Sequence, residues 1–165
     1  MLTVWGRNNS INVQKVMWTV AELGLEHQRH DVGRQFGGLD TVEFRAMNPN
    51  GLIPTIDDDG TIVWESNAVV RYLAAKYGAG SLWPEDVAAR AAADRWMDWM
   101  LGAIIPPMAP VFVGLIRTPP EDRDGAAIAA GAELMTGNWR ILDEHLAATP
   151  YVAGADLTMA DIPLG

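Results

Sequence analysis

Apolar positions along this chain follow two different periods, one mixed as far as about residue 78 and one wholly helical beyond it. Leu2, Val4 and Trp5 open with a short apolar run closed by Gly6. After a polar loop, Val13, Val16, Met17, Val20 and Leu23 recur at helical spacing up to Gly24, so strand, loop and helix are expected in that order. Residues 26–32 read as a second strand, which makes the opening a βαβ unit with a right-handed crossover and a parallel strand pair. The stretch 33–47 is polar and glycine-containing and predicts loop. Two further strands, 52–56 and 61–64, flank Asp59-Gly60, a strong hairpin signal, and Pro54 at the entrance of the first is a candidate for a cis bond. Val69, Val70, Leu73 and Tyr77 then form one stripe of a helix over 68–77, with Ser66 as the natural N-cap and Gly78 as the stop.

Past residue 78 the pattern changes. Residues 79–85 have linker composition, and from 86 to 165 every periodic segment is helical. Ala93, Trp96, Met97, Met100 and Ile104 define a first stripe, which Pro106, Pro107 and Pro110 are expected to kink or end. Ile128, Met135, Trp139, Leu142 and Leu146 define another helix, and Leu157-Thr158-Met159-Ala160-Asp161 has the form of a capping-box helix start. The stripe of Trp96, Met97, Trp99 and Met100 reads first as helix packing or a subunit interface, and second as the lining of a ligand pocket.

Composition narrows the function classes. With 49% hydrophobic and 20% charged residues the chain has the balance of a folded protein with a core. A net charge of −9 excludes the clustered cations that nucleic acid requires. No apolar run is expected to reach the roughly 18 residues of a membrane span, and the start lacks a signal-peptide pattern, so a cytoplasmic protein without a membrane partner is expected. The chain has no cysteine, so any sulfur chemistry must use a thiol that arrives with a ligand. His27, His30 and His145 have no metal-holding spacing, and no metal is expected.

The candidate chemistry lies at three places. Ser10 falls at the start of the first helix, where backbone N–H groups and the helix dipole favour an anion and where a hydroxyl can donate to a thiolate; its plainer reading is a helix cap. Ile53-Pro54, if cis, turns a backbone N–H and C=O outward for an extended peptide-like ligand; its plainer reading is a strand start. Glu65-Ser66 offers helix N-terminal amides and a hydroxyl to a carboxylate, with an acid beside them for an ammonium.

The order βαβ then ββα resembles the thioredoxin-like fold, a mixed four-stranded sheet with helices on its faces. Taken with their spacing, the segments from Ser10 to Lys15, from Asn48-Pro49-Asn50-Gly51 to Ile56, Trp64-Glu65-Ser66-Asn67-Ala68 with Tyr72-Leu73, and Leu157 to Asp161 resemble the cytosolic glutathione S-transferase family over essentially the whole chain. The resemblance implies an α/β thioredoxin-like domain over 1–78, followed after the linker by an all-α domain over 86–165. It implies a detoxification enzyme that takes glutathione as co-substrate, activates its thiol, and directs it at a small hydrophobic electrophile, working as a homodimer. Ser10 falls on the activating residue, with Asn12 a second candidate as in the bacterial theta-like and nu-like branches. Ile53-Pro54 matches the pair that holds the cysteinyl backbone, and Glu65-Ser66 the pair that holds the γ-glutamyl group. An acid on the first helix of the second domain reaches the partner's glutathione in relatives, which makes Asp98 a candidate. Leu52 stands where many relatives carry a cation for the glycyl carboxylate, so that contact falls to Arg34 or Gln35. Relatives continue well past the capping motif, so the helical domain is expected to be incomplete. Two other readings remain beside transfer: glutathione-dependent disulfide reduction, favoured if Asn12 shares the thiol, and a non-catalytic binding or dimerisation module.

Overall fold

A computed structural model describes all 165 residues, which divide into two compact units, Met1–Glu85 and Asp86–Gly165. In the first, four strands form a mixed sheet in the order β2-β1-β3-β4. β1 (Leu2–Trp5) runs parallel to β2 (His27–His30) and antiparallel to β3 (Thr55–Asp58), which pairs antiparallel with the edge strand β4 (Thr61–Trp64). Alternation sends Leu2 and Val4 to one face, where they meet Ile56 of β3, Val16 and Val20 of α1 (Ile11–Glu22), and Val69 and Leu73 of α3 (Ser66–Tyr77). Each such side chain taken fully from water contributes about 1.5–3 kcal/mol, so this cluster is what fixes both helices against the sheet.

The second strand is shorter than the predicted 26–32, and further differences from the sequence have clear causes. β3 begins at Thr55, three residues late, because Pro54 has no N–H for the ladder and the Leu52 carbonyl is taken by the Asn48 side chain at 3.0 Å. A short helix, α2 (Val42–Met47), stands in the stretch read as loop; Thr41 caps it by accepting from Phe44 N, and Phe44 is its one buried residue, too little for a period to show. α3 starts at Ser66 itself, with Glu65 at the N-cap position. In the β3–β4 hairpin, Asp59 and Gly60 have φ of 51° and 90°, as a two-residue type I′ turn requires.

α3 is tied to the sheet at its far end by Asp58, a buried carboxylate. It accepts from Lys76 Nζ at 2.7 Å, Tyr72 Oη at 2.9 Å and Tyr77 Oη at 2.9 Å. Burial by itself would raise its pKa, but the bonds from Lys76, Tyr72 and Tyr77 outweigh that and hold it below the ordinary carboxylate value.

The second unit begins with α4 (Val87–Trp99), capped by Asp86 Oδ1, which accepts from Ala89 N at 2.8 Å. The prolines were expected to kink or end this helix, yet the chain stays helical to Arg117. A π turn over Met100–Ile104 leads into α5 (Ile105–Phe112), and a second over Val113–Arg117 ends it. Wide turns shift the hydrogen-bond ladder by one residue, which lets carbonyls slip aside from the proline rings. Pro107 has no N–H for the Ala103 carbonyl four residues back, and Asn138 Nδ2 donates to that oxygen at 2.6 Å.

The expectation about apolar runs fails here as well. Residues 99–116 carry no charge, and the helix Val87–Arg117 is long and apolar enough, by length and composition, to cross a membrane. The prolines disguised it as several short pieces.

α6 (Gly125–Leu146) packs on α5 through glycine. A Cβ at Gly131 would stand 2.6 Å from the Pro107 carbonyl oxygen, and one at Gly114 2.7 Å from Ile128 Cδ1. Beyond α6, Asp161 accepts from Val152 N, Thr158 N and Thr158 Oγ1, which is the capping arrangement the sequence predicts. The residues after it form turns, with Gly165 N bonded to Asp161 O in the first helical step.

Two outcomes are expected. Asp58→Asn lowers the stability of the chain at neutral pH by about 2 kcal/mol, since it strips Tyr72, Lys76 and Tyr77 of the buried anion they share. Because the folded pKa is depressed, that contribution is complete above the unfolded value of about 4 and is lost as pH falls below it, so denaturant titrations of the two proteins converge in acid. Gly131→Val forces α5 and α6 apart at a backbone oxygen and is expected to cost about 1–3 kcal/mol in thermal unfolding.

Candidate active site

Ser10 occupies the N-cap position of α1 in extended conformation, and its carbonyl accepts from Val13 N and Gln14 N. Its hydroxyl makes no capping bond, so the plain reading of this serine as a helix cap does not hold. The side chain is nearly buried and its oxygen is left for something else.

Two residues on, Asn12 reaches across the unit. Its Oδ1 accepts from Ser66 Oγ at 3.3 Å, a residue 54 positions away at the start of α3, and from Lys15 Nζ at 3.1 Å. The N-termini of α1 and α3 therefore meet, and each brings backbone N–H groups that its own helix cannot pair. Two positive helix ends converging on one spot form a setting for an anionic, peptide-like ligand.

Glu65, between β4 and α3, has φ 69° and ψ 115°. This left-handed conformation is unfavourable for a residue with a Cβ and stores on the order of 1–3 kcal/mol. Its side chain is exposed and makes no capping bond, so the turn directs a free carboxylate outward beside the α3 amides. Ser66 and Asn67 behind it are buried.

The Ile53-Pro54 peptide is cis. The loop that carries it is organised by Asn48, a buried residue given no role by the sequence. Asn48 Nδ2 donates to Leu52 O at 3.0 Å and to Thr55 Oγ1 at 3.1 Å, while its Oδ1 accepts from Asn50 N at 3.1 Å. Gly6 and Gly33 stand against this loop: a Cβ on either would lie 3.5 or 3.6 Å from an Ile53 side-chain atom. Arg34 and Gln35 follow Gly33 in a 3-10 turn, Arg34–Phe36, and both are exposed. No hydrogen bond joins either to the other candidates. Leu52 is exposed at the same loop, as an apolar side chain.

Lys15 is the second residue the sequence left without a role. It is 4% exposed, and burial pushes its ammonium pKa down to about 8. The signal was a second, polar stripe on α1 at helical spacing beside the apolar one, formed by the exposed Asn12 and the buried Lys15 and Thr19.

In the second unit Asp98 is exposed on α4. Trp96, Met97 and Met100 are core residues there, and Trp96 packs edge-on against Trp99 with centroids 5.2 Å apart. A cavity of about 220 Å³ is lined by Arg95, Trp96, Trp99 and Ile141. The indole N–H of Trp96 is buried without a partner. A larger hollow, about 470 Å³, lies along α6 and shares none of the candidate residues.

Known proteins are similar to this chain in sequence and in fold. Residues 9–76 match the family model described as glutathione S-transferase, N-terminal domain. Glutathione S-transferase GstB of Escherichia coli is 45% identical over 99% of this chain and 80% of its own length. Glutathione S-transferase 3 of Zea mays is 29% identical over 97% of the chain and 73% of its own. Among solved structures, the theta class glutathione S-transferase of Xanthomonas axonopodis pv. citri with glutathione bound superimposes with a TM-score of 0.93, at 45% identity, over 99% of this chain and 78% of that one.

Because Asn48 ties Asn50, Leu52 and Thr55 together around Pro54, Asn48→Ala is expected to lower stability by about 2 kcal/mol, by leaving the Asn50 N–H without its partner and the Leu52 carbonyl with only the longer bond from Thr55 Oγ1. Faster limited proteolysis within 48–54, measured against the parent chain, checks that the loss is local.

Proposed function

The chain belongs to the glutathione S-transferase family, and from that footing we propose that its first unit holds glutathione with the sulfur at the start of α1 and the γ-glutamyl group at the start of α3. The reaction is glutathione transfer. Ser10 Oγ and Asn12 Nδ2 donate hydrogen bonds to the sulfur, which favours thiolate over thiol near neutral pH. The thiolate then attacks an electrophilic carbon; a C–S bond forms, and the displaced group leaves with its electron pair, or, in an addition, the product takes a proton from water.

The other contacts follow the chemistry of the tripeptide. The outward backbone of Ile53, before cis Pro54, pairs with the cysteinyl amide in strand fashion. Ser66, turning its one hydroxyl proton from Asn12 to the ligand, and the α3 amides take the γ-glutamyl carboxylate, and Glu65 takes its ammonium. Arg34 or Gln35 meets the glycyl carboxylate. The apolar cavity at Trp96 and Trp99 has the chemistry of a small hydrophobic electrophile's binding site. Assembly as a homodimer in the cytoplasm, with Asp98 reaching the partner subunit's glutathione, completes the proposal.

The observation that carries this reading is the Asn12–Ser66 bond, which brings the proposed sulfur end and the proposed γ-glutamyl end of the ligand to adjoining helix starts. A second reading, glutathione-dependent disulfide reduction, takes Asn12 as a second donor to the thiol and is supported by the same bond, which holds Asn12 at the junction of the two helix starts. There the thiolate attacks a glutathionyl sulfur, the S–S bond breaks, and oxidised glutathione and a new thiolate result.

Calorimetry with glutathione tests the site. Ser66→Ala is expected to weaken binding about tenfold, the worth of one hydrogen bond to a charged group. Ser10→Ala is expected to leave binding nearly intact and to raise the bound thiol pKa by about one unit. Absence of binding to the parent chain at millimolar glutathione sinks the reading. Equal turnover of an aryl halide and no turnover of a mixed disulfide separates transfer from reduction.

A further inference from the structure

Asn12 is a useful donor to a sulfur only if its carboxamide presents nitrogen, not oxygen, to the ligand. The two ends of an amide have the same shape, so what sets the choice is the group behind it. Ser66 Oγ, 3.3 Å from Asn12 Oδ1, can donate or accept and would tolerate either orientation. Lys15 would not: an ammonium has three donors and no acceptor, and its Nζ lies 3.1 Å from the same amide atom. With nitrogen in that place, two donors would face each other. Asn12 itself is exposed, and its Nδ2 makes no hydrogen bond within the chain.

We propose that Lys15 is a positioning residue of the thiol site, holding the Asn12 carboxamide oxygen inward so that its NH₂ is the group offered to the incoming sulfur. This rests on the reading above, that glutathione's sulfur lies at the start of α1. The lysine carries its charge at a cost in this position. It is 4% exposed, burial disfavours its charge, and a methionine would fill the same length of helix without that penalty. Its backbone carbonyl already serves α1 by accepting from Thr19 Oγ1, a bond any residue at this position keeps.

The test is a titration of the bound thiol in the full chain, followed by ultraviolet absorbance of the thiolate, for the parent, Asn12→Ala, Lys15→Met, the double variant and Lys15→Arg, each first checked for folding by circular dichroism. Lys15→Met is expected to raise the thiol pKa by about one unit, with the glutathione dissociation constant changed by less than about threefold. Lys15→Arg, which retains donors only, is expected to restore the parent value. Asn12→Ala gives the same rise as Lys15→Met, and the double variant no more than either, because the lysine acts through the amide. An unchanged pKa in Lys15→Met, or shifts that add in the double variant, overturns the proposal while leaving the glutathione site standing. An unchanged pKa in Asn12→Ala removes Asn12 from the thiol site and the proposal with it. If Lys15→Met does not fold, Lys15→Gln carries the same expectation, since its own amide oxygen can accept from Asn12 Nδ2 and turn the carboxamide round.

Discussion

Two helix N-termini held side by side are the constraint around which the first unit is built. Each ends in unpaired N–H groups and carries a partial positive charge, so bringing them together is unfavourable unless an acceptor stands between them. Asn12 Oδ1 is an acceptor at this junction, taking bonds from the Ser66 hydroxyl at the start of α3 and from the Lys15 ammonium. Neither bond pairs a backbone N–H of the helix ends. The backbone donors of both helix starts keep their preference for an anion, which is the physical basis of the ligand placement proposed above.

Such a meeting holds only if both helices are fixed elsewhere. The shared core of Val16, Val20, Val69 and Leu73 against Val4 and Ile56 sets their distance from the sheet. Asp58 pins the far end of α3 through Tyr72, Lys76 and Tyr77, so the helix is anchored where no ligand is expected and left open where one is. Lys76 near the α3 C-terminus also complements the helix dipole there. The strained turn at Glu65 is tolerated on the same account. A surrounding structure that over-determines the turn can hold a side chain in a conformation it would otherwise leave.

The second unit solves a different problem, that of a long apolar helix interrupted by proline. π turns and Asn138 absorb the missing hydrogen bonds, Gly131 lets α6 approach the backbone of α5, and Gly114 in the second π turn leaves room for the Ile128 side chain. The result is a continuous helical stretch where local rules predicted a break, because those rules treat proline in an isolated helix and take no account of a neighbour able to serve the orphaned carbonyl.

What the chain determined by itself was the order of elements and the residue types at the site. Alternation in β1, the helical stripes of α1 and α3, the Asp59-Gly60 turn, and the serine, proline and Glu-Ser motifs are all local, and local patterns follow directly from backbone geometry. α2 was invisible because one buried phenylalanine makes no period, and the start of β3 was misplaced because it depends on where the Asn48 side chain reaches. Tertiary structure alone decided that Ser10 does not cap its helix, that Asn12 and Ser66 touch across 54 residues, and that Lys15 lies buried behind Asn12. The physical reason is the same in each case: a hydrogen bond between side chains distant in sequence depends on how helices dock, and docking is set by the sum of the core and not by the residues that bond.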